Sequence, residues 1–370
     1  MPDIIPATAI PALLASNTPL LDVRAPVEFL HGAFPGAKNL PLLNDHERAA
    51  VGKLFKSSGQ QAAIDYGHKL VNGHLKEARV KAWERFITTH AGTAVYCYRG
   101  GLRSKIVQQW LAETGIRVPR IEGGYKLMRR ILIDTIDAAA ASTPLLIIAG
   151  KTGSGKTHVI NDLNNSVDLE GLANHRGSAF GPRVHPQPTQ INFENALAIA
   201  LLRIPYQAAM HLFLEDESRA IGSLSVPESL HNKMLQAPVA VLEESLAQRV
   251  NTILQDYIVS NFREFIAANP RNGQQLFSAY LLGSLAKIRH RLGGELHDKL
   301  RLVMEAALAM GEDGLPAHAE WIEQLLINYY DPMYEYQLGK KDRRVIFRGD
   351  RNELLSWAAH LDQPDQKRRA

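Results

Sequence analysis

The stretch LLIIAGKTGSGKT, residues 145–157, constrains the fold of this chain more than any other segment. Its apolar start predicts a buried strand, and the residues that follow fit G-x-x-x-x-G-K-[ST] at every fixed position. In such a loop the backbone N–H groups turn inward around a phosphate, a lysine adds positive charge, and a hydroxyl can hold Mg²⁺. The segment therefore predicts an α/β domain that binds a phosphate or diphosphate at the end of a strand. The residues assigned to this phosphate-binding loop are Gly150, Gly153, Ser154, Gly155, Lys156 and Thr157.

A second acidic group is expected near this loop. The apolar run of residues 210–214 ends in Glu215, Asp216 and Glu217. A strand that ends in a carboxylate beside a phosphate-binding loop is typical of domains that position Mg²⁺. We select Asp216 to hold Mg²⁺ together with Thr157, with Glu215 as the alternative. The loop does not specify ATP, because any diphosphate would fit it.

The long segment between these two motifs, residues 170–195, is interrupted by glycine and proline. Long irregular loops in compact domains are usually functional or disordered. The mixture of cationic and amide side chains in this one predicts a substrate loop. Its candidate substrate-binding residues are His175, Arg176, Arg183 and Gln190.

The only cysteine of the chain, Cys97, opens the glycine-rich segment YCYRGGLRS, residues 96–104. Successive N–H groups of such a loop, with arginines beside them and a helix behind, form an anion site that stabilises a thiolate, the nucleophilic form of cysteine. A single cysteine excludes an internal disulfide and a cysteine-rich zinc site, and it favours a reducing, cytoplasmic location. The loop residues assigned to the thiol site are Arg99, Gly100, Gly101, Arg103 and Ser104.

Two α/β domains are predicted. Short apolar strands at residues 19–24 and 93–97 alternate with helical stretches, which indicates a parallel sheet. The small-residue stretch DAAAASTP, residues 137–144, forms the seam, so that the domains span residues 1–137 and 144–370. In the second domain, further strands at residues 210–216, 237–243 and 344–349 accompany a helix-rich extension at 244–330.

Glycines and small polar residues predict the helix ends of the first domain. Residues 45–90 have a helical pattern in which Gly59, Gly67 and Gly73 are expected as breaks. Ser104 is expected to cap the next helix, and Gly115 to end it.

The cations of the chain are clustered, although its net charge is only +4. Such clusters suit a polyanion such as RNA, or they are solvated helix faces. No apolar run approaches the roughly 20 residues of a membrane span, so no membrane partner is expected. The clusters are Lys126, Arg129 and Arg130; Lys287, Arg289 and Arg291; Lys340, Lys341, Arg343 and Arg344; and Lys367, Arg368 and Arg369.

Residues 20–42, the Cys97 loop and residues 120–130 together closely resemble a rhodanese-type domain, in which the cysteine carries a transferable chalcogen. The spacing differs in one respect: sulfurtransferases of that family usually have four residues between cysteine and arginine, whereas Cys97 and Arg103 have five. A longer loop makes a wider anion site, which suits a tetrahedral, phosphate-like anion. The C-x₅-R spacing also matches cysteine phosphatases, so a phosphatase stays open.

A rhodanese-like domain joined to a P-loop domain resembles the tRNA 2-selenouridine synthase family. The segments that carry this resemblance are YCYRGGLRS, DLEGLANHRGSAFG, LEDESRAIG and YYDPMYEYQL. The resemblance implies conversion of wobble 2-thiouridine in tRNA to 2-selenouridine, with geranyl diphosphate and selenophosphate as co-substrates and no bound organic cofactor. It further implies that the P-loop and Mg²⁺ serve geranylation of the sulfur, while Cys97 accepts selenium as an S-selanyl group. Partners would be the tRNA and a source of selenophosphate; the oligomeric state is not specified.

The geranyl chain needs an apolar groove, for which the extension at 244–330 offers candidates. They include an aromatic cluster that could equally stack on a base or form core: Tyr329, Tyr330, Tyr334 and Tyr336. Two rival functions are a sulfurtransferase fused to a P-loop kinase, and a nucleotide-gated RNA-binding protein with a rhodanese-like docking module.

Overall fold

The computed structural model describes residues 3–204 and 210–361, and it divides into two compact units. Unit 1 comprises the chain up to Asp137 together with Thr189–Arg203, and unit 2 comprises Ala138–Pro188 and the chain from Ile204. The chain thus leaves unit 1 beside the predicted seam, returns to it for fifteen residues, and leaves again. The predicted division into residues 1–137 and 144–370 does not include this return of the chain to unit 1.

The elements are numbered in chain order. The strands are β1 Ile4–Ile5, β2 Leu20–Asp22, β3 Lys38–Asn39, β4 Ala94–Tyr96, β5 Arg120–Ile121, β6 Leu145–Gly150, β7 Ser166–Val167, β8 Leu212–Glu215, β9 Ala220–Ile221, β10 Leu224–Ser225, β11 Val239–Leu242 and β12 Val345–Gly349. The helices are α1 Ile10–Ala15, α2 Pro26–His31, α3 Asp45–Leu70, α4 Gly73–Thr89, α5 Leu102–Glu113, α6 Gly124–Ser142, α7 Lys156–Asp162, α8 Leu169–Leu172, α9 Gln190–Arg203, α10 Glu228–Met234, α11 Leu246–Ile253, α12 Asn261–Ala268, α13 Gly273–Lys287, α14 Arg289–Leu292, α15 Gly294–Ala309, α16 Leu315–Leu325, α17 Asp331–Gly339 and α18 Arg351–Leu361.

Unit 1 is built on a five-stranded parallel sheet in the order β1-β5-β4-β2-β3. Its central strands β2 and β4 are buried at every residue, as expected for parallel strands covered by helices on both faces. Cys97 follows β4 directly and therefore lies at the carboxyl end of a central strand, where active loops of such sheets are found.

Helix α3 is the longest element of unit 1, and it is kinked. Asn44 and Glu47 form a capping box at its start. At Gly59 the backbone takes a φ of +82°, which confirms the expected break at that residue. The expected break at Gly67 is wrong, because Gly67 lies inside α3 with ordinary helical backbone; Gly73 begins α4.

Unit 2 is built on a second parallel sheet, in the order β12-β11-β6-β8-β7, with β9 and β10 as a separate antiparallel pair. All six residues of the central strand β6 are buried, so the phosphate-binding loop starts at the carboxyl end of a fully covered strand. The α/β prediction and the three predicted strands of this domain are confirmed, as β8, β11 and β12.

The helix-rich extension at 244–330 is also confirmed, and its helices pack around a separate core that includes Leu281, Leu300 and Trp321. Two of its turns, Leu254–Ser260 and Leu326–Tyr330, are π-helical. Such turns are rare and are frequently found at functional sites. None of the helices in the described residues combines the length and apolar character that crossing a bilayer requires.

Candidate thiol and phosphate-binding sites

Cys97 is only 3% exposed and lies against the first turn of α5. Its Sγ is 3.3 Å from Oγ of Ser104, whose hydroxyl also donates to the carbonyl oxygen of Gly101 at 3.0 Å. Ser104 was expected as the helix cap, but α5 begins at Leu102 with Gly101 in the cap position. Ser104 is instead the hydroxyl partner of the thiol. Gly115, with a φ of +88°, follows the end of α5 as predicted.

Glycines hold the thiol loop against the turn between β5 and α6. Tyr125 N donates to the carbonyl oxygen of Cys97 at 2.9 Å. A Cβ on Gly124 would lie 2.2 Å from that same oxygen, and a Cβ on Gly100 would lie 2.6 Å from Gly123 N. Only glycine allows this approach, so the motif GG at 123–124 is required to place Cys97.

The two arginines of the thiol loop have different surroundings. Arg103 donates to both carboxylate oxygens of Glu28, at 2.5 and 3.1 Å. Burial disfavours the charged form of each side chain, but their hydrogen bonds and charges outweigh it, so the pKa of Glu28 is lowered and that of Arg103 is raised. The charge of Arg103 is therefore balanced by Glu28. Arg99 is exposed and lines the cavity onto which Cys97 opens.

That cavity has a volume of about 1390 Å³, and part of its wall comes from α9. Ile191 lines it, and Asn195, fully buried, donates to the Ala33 carbonyl oxygen at 2.8 Å and accepts from Arg129 at 3.0 Å. Sequence spacing could not reveal this contribution, because α9 follows the P-loop by more than thirty residues. The available signal was the amide side chains of Asn192 and Asn195 in the first half of a helix that is apolar from Ala196 to Leu202.

The phosphate-binding loop has the expected backbone. Gly153 and Gly155 have φ values of +82° and +83°, and Gly155 caps α7. Lys156 Nζ donates to the carbonyl oxygen of Gly150 at 2.9 Å, and the buried hydroxyl of Ser154 has no hydrogen-bond partner in the part of the chain that the structure describes. The loop is thus folded around a centre that an anion can occupy.

The carboxylate beside Thr157 is Glu215 rather than Asp216. Thr157 Oγ1 donates to Oε1 of Glu215 at 3.0 Å, and Glu215 is fully buried. Asp216 is paired with Lys341, whose Nζ is 2.7 Å from Oδ2. The structure therefore does not bring Asp216, our first choice, to the loop, and the alternative Glu215 takes its position.

Three glutamates gather at this point, and their chemistry fits a cation. Burial and the nearby charges of Glu170 and Asp168 raise the pKa of Glu215 to about 8. Burial likewise raises the pKa of Glu170, and burial and Glu170 raise that of Glu217. Among the described residues there is no group of three or more His, Cys, Asp and Glu side chains placed to hold a metal unaided. Mg²⁺ usually takes one or two carboxylates and completes its shell with substrate phosphates and water, so Thr157 and Glu215 fit it.

A cavity of about 710 Å³ opens over the loop within unit 2. Two of the predicted substrate-binding residues, Arg176 and Arg183, line it. Arg176 lies over the Tyr257 ring at 4.7 Å, and the buried Nε of Arg183 has no hydrogen-bond partner within residues 3–204 and 210–361. His175 does not line it; its Nδ1 accepts from Gly177 N at 3.1 Å, and burial lowers its pKa. Gln190 belongs to unit 1, where it begins α9.

The four tyrosines of the aromatic cluster are divided between three environments. Tyr329 and Tyr330 line the cavity in a T-shaped pair with ring centroids 4.9 Å apart. Tyr334 has a buried hydroxyl without a hydrogen-bond partner. Tyr336 is exposed beneath Lys340. Only the first two contribute to the site.

Comparison with known proteins identifies the family of the chain. Residues 143–364 match the family described as tRNA 2-selenouridine synthase AAA domain. The protein named tRNA 2-selenouridine synthase from Shewanella piezotolerans is 49% identical over 358 residues, 96% of this chain and 98% of that protein. The protein of the same name from Azotobacter vinelandii is 50% identical over 351 residues, 94% of this chain and 95% of that protein. The chain belongs to the tRNA 2-selenouridine synthase family.

Proposed function

We propose that this protein converts wobble 2-thiouridine of tRNA to 2-selenouridine by two successive reactions, one in each unit. The observation that carries the proposal is the presence, in one chain, of two different anion sites: a phosphate-binding loop beside a carboxylate cluster, and a thiol in a glycine-rich loop. A diphosphate suits the first, and a phosphate-like selenium donor suits the second. Selenophosphate and geranyl diphosphate are the donors that the family resemblance implies.

The first reaction is geranylation at the P-loop cavity. The thiocarbonyl sulfur of the base attacks the allylic carbon of geranyl diphosphate, the carbon–oxygen bond breaks, and diphosphate leaves with the electron pair. The base loses its N3 proton to water, which leaves neutral S-geranyl-2-thiouridine. Lys156, the loop amides and Arg183 stabilise the charge that develops on the leaving group. Mg²⁺, held by Thr157 and Glu215, would add further positive charge there. The geranyl chain would lie against Tyr257, Tyr329 and Tyr330, on the apolar wall of the same cavity.

The second reaction is exchange of the S-geranyl group for selenium at the Cys97 cavity. The selenium of selenophosphate attacks C2, the C2–S bond breaks, and geranylthiolate leaves and takes a proton. The selenium–phosphorus bond is then cleaved, and its phosphoryl group is finally taken up by water. The products are 2-selenouridine, geranylthiol and phosphate, so atoms and electrons balance without another reactant.

The oxidation states of selenium and phosphorus also bear on which group the Cys97 sulfur can carry without an added oxidant. An S-selanyl group formed from selenophosphate would leave phosphorus as phosphite, or else require a two-electron oxidant. If the thiolate instead accepts the phosphoryl group from the selenium–phosphorus bond, water releases it as phosphate and no oxidant is needed. The wide loop with five residues between Cys97 and Arg103, and the Ser104 hydroxyl beside Sγ, suit a phosphoryl group. We therefore assign Cys97 this covalent role in place of the S-selanyl group.

The test is mass spectrometry of nucleosides from 2-thiouridine tRNA incubated with geranyl diphosphate alone, with selenophosphate alone, and with both. S-geranyl product with the first, and selenouridine only with both, are the expected results. Phosphate transfer to a small molecule from ATP, with unchanged RNA in all three samples, would favour the kinase fusion instead. Selenophosphate labelled with ³²P distinguishes the roles of Cys97: label is expected on the wild-type protein and not on Cys97→Ala, whereas an unlabelled, selenium-bearing protein would contradict the phosphoryl assignment.

A further inference from the structure

A second, apolar cavity of about 460 Å³ adjoins the thiol loop in unit 1. It lies between the kinked helix α3 and helix α5, and the loop residues Arg99, Leu102 and Arg103 line both it and the Cys97 cavity. We call this second cavity the α3–α5 groove. Its apolar walls include Val51, Phe55, Ala63, Ile64, Ile106 and Trp110.

The mouth of the Cys97 cavity is also apolar. Four large apolar side chains line it while remaining at least 40% exposed: Val27 49%, Leu30 71%, Phe55 54% and Leu102 42%. Selenophosphate and phosphate are small anions and have no use for such a surface. Clustered exposed apolar residues mark a binding site for something apolar. The reactant that enters this cavity therefore carries an apolar group in addition to its anionic partner.

We propose that the α3–α5 groove receives the geranyl chain of S-geranyl-2-thiouridine while selenium replaces sulfur at C2. This inference rests on the proposed function, and it makes the second reaction selective for the alkylated base. The volume of the groove lies within the roughly 300–1,000 Å³ of typical small-molecule sites. Its apolar walls match a hydrocarbon chain, and the exposed cation Arg99, which lines both cavities, matches the anionic donor. The departing geranylthiol would be retained by the same walls.

Gly67 offers a way to fill the groove without disturbing the thiol loop. It lies inside α3, and a Cβ added there would meet only Val51 Cγ2, at 3.8 Å, an ordinary contact. Gly67→Leu therefore places a side chain against a groove wall, and Gly67→Ala is its small counterpart. Phe55→Ser removes an apolar wall. Leu75→Ser is the matched control, because Leu75 is an exposed leucine of α4 that lines neither cavity.

The experiment measures initial steady-state rates of selenation, with selenophosphate, of tRNA carrying S-methyl, S-dimethylallyl or S-geranyl 2-thiouridine. The readout is the ratio of kcat/KM for the geranyl and methyl substrates, which does not depend on the fraction of folded protein. The wild type and Leu75→Ser are expected to prefer geranyl at least tenfold, Gly67→Ala to retain most of that preference, and Gly67→Leu and Phe55→Ser to lose it.

Equal kcat/KM for all three chain lengths in the wild type would overturn the inference while leaving the proposed function intact. Retention of the geranyl preference in both Gly67→Leu and Phe55→Ser would also overturn it and would assign the apolar surface to a protein partner. No selenation of any S-alkyl tRNA by the wild type would contradict the proposed function itself.

Discussion

At the scale of single residues, the P-loop cavity depends on which of two neighbouring carboxylates faces the loop. Successive side chains of a strand point to opposite faces, so Glu215 and the adjacent Asp216 cannot both reach Thr157. Strand β8 ends with Glu215 turned toward Thr157, and Asp216 is turned toward Lys341. The sequence shows both acids but does not show which of them faces the phosphate-binding loop. For this reason the residue beside Thr157 is Glu215 and not the expected Asp216.

This difference predicts opposite outcomes for two conservative substitutions. Glu215→Gln removes the carboxyl group that would hold Mg²⁺ beside Thr157, and a loss of about 10²–10³-fold in kcat for geranylation is expected. Asp216→Asn leaves Thr157 and Glu215 in place, so less than about tenfold is expected, chiefly through the freed Lys341. Geranylation rates of both variants at saturating Mg²⁺ check this. Equal losses would show that Glu215 has no special role.

At the scale of elements, the phosphate-binding loop is held by helices that lie far along the chain. Arg249 of α11 donates through Nε to the Thr152 carbonyl oxygen at 2.9 Å, and its guanidinium binds both oxygens of Asp331, at 2.9 and 2.5 Å. Asp331 begins α17, directly after the second π-helical turn. The motif YYDPMYEYQL therefore contacts the loop both through Arg249 and directly, because Lys151 Nζ donates to Asp331 at 3.4 Å and to Glu335 at 2.8 Å. No spacing in the sequence expresses these connections.

Breaking this ion pair should destabilise unit 2. The Arg249 side chain is 3% exposed, and Arg249→Met leaves Asp331 with only its longer contact to Lys151, at 3.4 Å, so a loss of about 1–3 kcal/mol in the free energy of unfolding is expected. The double variant Arg249→Met/Asp331→Leu should recover most of it. Arg301→Met, which breaks an exposed pair within α15, should cost less than about 0.5 kcal/mol. Denaturant unfolding gives all three values; a double variant as unstable as Arg249→Met would contradict the prediction.

The helix-rich extension should be sensitive to acid through His318. This residue of α16 is buried and accepts a hydrogen bond from Trp321 Nε1 at 3.0 Å, and burial lowers its pKa to about 4. Because the pKa is depressed in the folded state, neutral His318 contributes its full stability above about pH 6.5 and loses it as the pH falls toward 4. The expected loss is roughly 3 kcal/mol.

Denaturant unfolding at a series of pH values between 7 and 4 checks this. His318→Gln keeps an acceptor for Trp321 but has no titrating group, so its stability should fall less steeply than that of the wild type. His74→Gln, at a fully exposed histidine, should follow the wild type. Parallel curves for all three proteins would show that His318 does not control the acid response.

Whole secondary-structure elements were the easiest feature to predict from the sequence. Apolar runs located β6, β8 and β11, because parallel strands covered on both faces are continuously apolar. The short apolar run at residues 345–347 located the edge strand β12, in which partly buried and exposed residues alternate before Gly349. The glycine pattern of the P-loop also predicted its backbone conformation, because that conformation depends on the residues within the loop itself. The expected helix break at Gly67 was wrong because the intrinsic cost of one glycine is small, so that the rest of a long helix can keep it helical. The pairing of Arg103 with Glu28, and the wall formed by α9, depend on tertiary contacts and have no local signal.

At the scale of the whole molecule, each unit holds its own site, so the proposed intermediate is a modified tRNA that must be used by both. Cys97→Ala should geranylate but not selenate, and Lys156→Ala should do neither with 2-thiouridine tRNA yet selenate tRNA that is already geranylated. Mixing the two variants should restore selenouridine, because one supplies the geranylated tRNA and the other consumes it. Nucleoside mass spectrometry of the mixture checks this. A mixture that yields only S-geranyl product would show that the intermediate is never released from one molecule to another.

The return of the chain to unit 1 at Thr189–Arg203 has a consequence for how the protein is made. During synthesis, unit 1 has its complete sheet once residue 121 has emerged, yet it lacks α9 until residue 203 has followed. In that interval the Ala33 carbonyl and Arg129 do not yet have Asn195 as a hydrogen-bond partner, although the phosphate-binding loop is already translated. The two units therefore mature in an interleaved order. Expression of residues 1–137 alone would yield a thiol cavity that lacks the wall formed by α9. A fusion protein that carries a functional unit 1 would therefore need α9 as a second segment.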